Sequence, residues 1–147
     1  MHQKDRYGEI SSKSPVYSDE QLGSLIWYEK LPFGQNLDLI FVTDEVLSKT
    51  YSKPLDYITY LIKYSGKGSL IEYLKKNKLA VKIEAGPIST YKHFSQYAIS
   101  VYLTKKGLKE VKNVMQICFN YINLMRKKKP NSNLYNDIKK ISEIQYL

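Results

Sequence analysis

Cysteine, histidine, arginine and tryptophan are all scarce in this 147-residue chain, and each scarcity closes off a class of function. The single cysteine, Cys118, cannot form an intramolecular disulfide, so a reducing compartment is acceptable and a cytoplasmic location is the simplest expectation. Cys118 falls among apolar residues at helical spacing, where a thiol behaves as a small buried hydrophobe. The two histidines, His2 and His93, stand in neither His-x-x-Glu-His nor His-Glu-x-x-His order, and no Cys-x-x-Cys pair occurs. His93 opens a strand pattern and reads as a surface or hydrogen-bonded side chain rather than a metal ligand. No Gly-x-Ser-x-Gly elbow is present, and Cys118 lacks a nearby histidine base. No apolar run approaches the roughly 18 residues of a membrane-spanning helix, and the N-terminus shows no apolar signal-peptide core. No catalytic centre, metal site or membrane partner is expected of this chain.

Arginine is the residue suited to bidentate phosphate and guanine contacts, and only Arg6 and Arg126 are present among 23 basic residues. The net charge of +9 therefore raises the question of an anionic partner without pointing to sequence-reading of nucleic acid. The one dense basic run, Arg126-Lys127-Lys128-Lys129, ends a helical pattern, where cations complement the helix dipole. Gly66-Lys67-Gly68-Ser69 looks like a phosphate loop only superficially. It lacks the preceding strand and the Gly-x-x-x-x-Gly-Lys spacing.

What is abundant is tyrosine, 14 residues against 4 Phe and 1 Trp, suited to half-buried positions with the hydroxyl kept wet. Residues 1–15 are polar and aperiodic, and an unstructured or artificially appended tail is expected there. Ser18 and Gln21 form a capping box that predicts a short helix before Gly23. Leu25-Ile26-Trp27-Tyr28 reads as a buried strand, and Leu37–Val42 as a second that returns beside it in a hairpin. Pro54 opens a helix whose apolar stripe is Leu55, Ile58, Leu61 and Ile62.

Gly66 and Gly68 supply the positive-φ backbone that ends this helix, and Ser69 with Glu72 caps the next. Leu79, Val81, Ile83 and Ala85 alternate as the inner face of a strand that Gly86-Pro87 breaks. Phe94–Leu103 alternates again, with Tyr97, Ile99, Val101 and Leu103 inward. Thr104 caps a long helix carrying Leu108, Val111, Val114, Met115, Cys118, Phe119, Ile122 and Met125, which Pro130 ends. Leu134, Ile138, Ile141 and Ile144 mark a last helix. The expected class is α+β: about four strands, paired mainly antiparallel, and five helices in a second layer.

Two elements carry a resemblance: Gly66-x-Gly68-Ser69-Leu70, and Leu103-Thr104-x-x-Gly107-Leu108. With Lys53-Pro54, Leu61-Ile62, Leu74 and the Val81–Gly86 strand, in this order and separation, residues 16–147 resemble part of an M16 zinc metallopeptidase of the insulinase type. The match is to the start of the second, non-catalytic domain. The resemblance implies zinc and proteolysis in a parent enzyme, where a zinc-bound water attacks the peptide carbonyl with a Glu as base. It implies no cofactor in this chain.

In the family this region borders an internal chamber and anchors the N-terminal end of peptide substrates. Carried over, the implied exosite is Tyr60, Tyr64, Gly66, Gly68, Ile83, Ala85 and Gly86, with an extended peptide adding to a sheet edge. Tyr60 and Tyr64 stand where the insulin-degrading enzymes have histidines, and Glu84-Ala85-Gly86-Pro87 replaces a more glycine-rich segment. The partners implied are peptide substrates and the remaining domains of the parent. A third possibility is a catalytically dead paralogue as parent. Half a family domain also leaves a sheet edge and an apolar face uncovered, which predicts a two-fold homodimer. The alternative from another class is an independent basic α+β module that binds nucleic acid or another acidic partner, with steep salt dependence.

Overall fold

A computed structural model of the chain describes residues 17–26, 34–44, 54–90 and 94–136. Its centre is a three-stranded antiparallel sheet of order β1-β3-β2, built from β1 (Asn36–Asp44), β2 (Ala80–Thr90) and β3 (Phe94–Leu103). The helices are α1 (Pro54–Lys63), α2 (Leu70–Lys76), α3 (Lys105–Lys109) and α4 (Val111–Lys127). Residues 132–136 begin a further helix. The expected α+β class is what forms, and the antiparallel pairing with it.

Strand β3 alternates buried and half-buried residues along its whole length, because Ser95, Tyr97, Ile99, Val101 and Leu103 all point to one face. Leu37 and Leu39 of β1 and Ile83 of β2 join that face. Ile62 of α1, Leu70, Ile71 and Leu74 of α2, and Val111, Val114 and Cys118 of α4 cover it. Burying a side chain such as Leu74 or Ile99 stabilises the fold by about 1.5–3 kcal/mol each before entropy is counted.

The turn between α2 and β2 is a Schellman motif: the Leu79 N–H donates to the Leu74 carbonyl and the Lys78 N–H to that of Lys75, both at 2.9 Å. Lys78 takes the left-handed position, φ 57°, that glycine ordinarily fills. This turn is stitched to the start of α3. Thr104 donates its hydroxyl to the Lys78 carbonyl at 2.7 Å and accepts from the Gly107 N–H at 2.9 Å, while its own N–H donates to the Leu79 carbonyl at 3.0 Å. Gly107 is required because a Cβ there would overlap the Leu79 carbonyl.

Several expectations are corrected. Leu25 and Ile26 form no strand and are exposed, and β1 pairs with β3 over nine residues, from Asn36↔Tyr102 to Asp44↔Phe94. A four-residue apolar run carries no information about its partner, whereas β3 offers a full-length register. Trp27 and Tyr28 lie outside the described residues, as do residues 1–15, His93, Ile138, Ile141 and Ile144. The Ser18 box closes only one turn, with the Ser18 N–H donating to the Gln21 side chain at 2.9 Å, before Gly23 turns away at φ 73°. One turn nucleates a helix without propagating it.

Strand β2 runs through Gly86-Pro87 rather than ending there, because an edge strand tolerates a residue with no N–H to donate. Irregularities at Ala80/Lys82 and Pro87/Ser89 shift its register, and the first turns Val81 outward. Ile58 is exposed rather than part of the buried stripe, and Thr59 faces the sheet instead, 2.9 Å from the Tyr97 hydroxyl. The long helix after Thr104 is two, interrupted at Glu110 (φ −108°, ψ 28°) with neither glycine nor proline to announce it.

Candidate functional site

The α1–α2 junction holds four of the seven implied site residues. Tyr60 and Tyr64 are one helical turn apart and exposed, and their rings stack with centroids 6.5 Å apart and planes at 30°. Tyr64 then lies back over Gly66: a Cβ at Gly66 would collide with the Tyr64 ring and hydroxyl. Gly66 therefore makes room for a side chain and shows no left-handed φ, contrary to the expectation. Gly68 alone takes that conformation, at φ 79°. Ser69 follows as N-cap of α2, accepting from the Glu72 N–H at 3.2 Å, while the Glu72 carboxylate accepts from the Gly68 N–H. The capping box is thus present, with its return bond one residue earlier than the standard pattern.

The other three residues lie on β2, against which α1 packs. Ile83 is buried with its side chain in the core, so it can offer only its main chain to a ligand. Ala85 and Gly86 are half-buried, and the space around Gly86 is open for 4 Å about a Cβ position. β2 is flanked by β3 on one side and, among the described residues, by no strand on the other. An edge of this kind presents main-chain donors and acceptors without regard to sequence.

Sequence reasoning missed a cluster on the outer sheet face. Glu84 forms an ion pair with Lys82, accepts from the Tyr102 hydroxyl at 2.8 Å, and the Lys82 ammonium stands 5.3 Å from the centre of the Tyr102 ring. The hydrogen bond from Lys82, then that from Tyr102, hold the Glu84 carboxyl below its ordinary value. Lys63 of α1 adds to this from beside the strand. The signal was legible as Lys82 and Glu84 at alternate positions of β2, both facing away from the core. The cluster fixes local charge at the strand.

Among the described residues, no three His, Cys, Asp or Glu side chains come together to hold a metal ion.

The model of the "Peptidase M16 inactive domain" matches residues 8–142. The insulin-degrading enzyme of Drosophila melanogaster is 28% identical over 150 residues, covering 97% of this chain and 15% of the relative. The A-factor-processing enzyme of Saccharomyces cerevisiae is 26% identical over 132 residues, covering 90% of this chain and 13% of that protein. The crystal structure of pitrilysin superposes with a TM-score of 0.66 at 32% identity, over 70% of this chain and 11% of that one. The chain spans about a seventh of the length of the curated relatives it matches and belongs to the M16 peptidase inactive-domain family.

Proposed function

We propose that this chain is a non-catalytic segment of an insulysin-like zinc metalloendopeptidase, serving as chamber wall and as a docking edge for peptide substrates. One observation carries the reading: the Tyr60–Tyr64 stack and its glycine corner sit on a helix packed against an edge strand of the sheet. An extended peptide adds to β2 through main-chain hydrogen bonds, which suits substrates of differing sequence. The two tyrosine rings offer a flat apolar surface with polar rims beside it. Ile83 contributes main chain only, Gly86 permits close approach, and Pro87, lacking an N–H, limits how far the ladder extends. Zinc and the peptide-cleaving groups belong to other parts of the parent.

The test is a fluorescence-anisotropy titration of a labelled extended peptide against the purified chain. Tyr64→Ala is expected to weaken binding several-fold, and Ala85→Pro to remove it by taking a main-chain donor from the strand. Binding unchanged by both substitutions overturns the docking edge. A fluorogenic peptide cleaved by the purified chain in a chelator-sensitive way overturns the non-catalytic assignment.

A further inference from the structure

Six units of the chain's net charge of +9 come from two short segments. Residues 75–78 and 105–112 contain seven lysines and one acid, Glu110. The fold brings the segments together, because the Lys106 ammonium donates to the Asn77 carbonyl at 3.1 Å and Thr104 bonds the main chain of Lys78 and Leu79. All seven lysines are exposed. Glu110 is taken by Lys106 at 3.8 Å, and among the described residues no ion pair engages Lys75, Lys76, Lys78, Lys105, Lys109 or Lys112.

Two of these placements run against local preference. Lys78 occupies the left-handed position where glycine costs least, and neither α3 nor α4 carries an acid in its first turn, where Asp or Glu is favoured. Lys75, Lys76, Lys106 and Lys109 lie in last helical turns, where cations are favoured, but Lys78, Lys105 and Lys112 stand where the backbone gives a cation no support, a conflict of the kind expected at functional surfaces.

We infer that this lysine surface, at the far end of α2 from the Tyr60–Gly68 corner, docks an acidic polypeptide segment. The chemistry favours carboxylates over nucleic acid. Neither segment contains an arginine for bidentate phosphate or guanine contacts. Flexible ammonium groups spread over two elements match a run of Asp and Glu by charge alone. The inference is independent of the docking edge on β2.

The probe is a fluorescein-labelled decaglutamate peptide, titrated by anisotropy against the full chain at about 20 mM salt, where the Debye length exceeds 20 Å. The test variant is Lys105→Gln/Lys109→Gln/Lys112→Gln. Its comparator, Lys127→Gln/Lys128→Gln/Lys129→Gln, removes the same charge from the other end of α4. The patch variant is expected to weaken binding about tenfold and the comparator less than about threefold, with both retaining the wild-type circular dichroism spectrum. Equal losses in the two variants overturn the site in favour of net charge. An absence of wild-type binding overturns the proposal outright. Tighter binding of an oligonucleotide of matched charge overturns the carboxylate assignment.

Discussion

The carbonyl oxygen of Leu79 lies against the Cα of Gly107 so closely that a methyl group there would sit inside its van der Waals surface, with Leu103 Cδ2 3.3 Å away. The obstacle is main chain, so it cannot rotate aside. Gly107→Ala is therefore expected to destabilise the fold by about 3 kcal/mol, at the upper end of overpacking costs. Gly86→Ala is the control: its site is open and its φ is not left-handed, so stability should rise slightly, by roughly 0.4–1 kcal/mol. Urea unfolding midpoints of the two variants distinguish them. Equal midpoints would refute the close approach.

Lys78 offers the opposite sign. It is the one described non-glycine residue with positive φ, held there by the Schellman bonds to Leu74 and Lys75. A left-handed L-residue costs roughly 1 kcal/mol more than glycine at the same place. Lys78→Gly should therefore raise the melting temperature by about 3–5 °C. Lys78→Ala, which keeps the Cβ and removes only the charge, should change it far less. A Gly variant no more stable than the Ala variant would show that the turn carries no strain.

Gly66 tests how the tyrosine pair is aimed. A Cβ there meets the Tyr64 ring and hydroxyl, the free end of a rotatable side chain. Gly66→Ala should leave the unfolding free energy within about 1 kcal/mol of wild type while expelling the Tyr64 ring from its stack. The expected readouts are an altered near-ultraviolet circular dichroism signal and weakened peptide anisotropy. Preserved signals in both measurements would mean that Tyr64 accommodates the methyl in place.

Much of the fold is legible because its rules are local. Pro54 at the start of α1, the Ser69–Glu72 box, Thr104 as N-cap and the period-2 face of β3 each depend on neighbours within a few residues. Pairing is not local. Nothing in Leu37–Val42 says that Phe94–Leu103 is its partner, because any apolar strand satisfies the same alternation. The exposed Val81 and the break at Glu110 are equally unsignalled by the local sequence. The glycine spacing marks the junction between α1 and α2, yet the reason for Gly66 is a tyrosine ring and not a dihedral angle.

Cys118 gives a pH dependence. Burial pushes its thiol up to about 12 from an ordinary value near 9. The folded state thus favours the neutral thiol more strongly than the unfolded state does. Its contribution to stability is complete below pH 9 and is lost progressively as pH rises toward 12. Burial shifts the Tyr97 and Tyr121 hydroxyls upward as well, so they act in the same direction. Unfolding free energy measured in urea should fall steadily above pH 9, and Cys118→Ala should reduce that slope. In the native state at pH 8 the thiol should resist a disulfide reagent and react fully once unfolded. Rapid native labelling would contradict its burial.

Self-association is the remaining expectation. Strand β1 has β3 on one side and, among the described residues, no strand on the other. Beside it, Phe119 of α4 is 40% exposed and packs edge-on against Phe41 of β1, with centroids 6.3 Å apart and planes at 74°. An apolar rim next to an open edge favours pairing with another chain. The net charge of +9 opposes it through repulsion that salt screens. Sedimentation coefficients should therefore rise with protein concentration, and more steeply at about 0.5 M salt than at about 0.05 M. Phe119→Lys should shift the distribution toward monomer at either salt. A monomer unchanged by concentration and salt would rule out the dimer and leave the β1 edge sufficiently protected by its own charge.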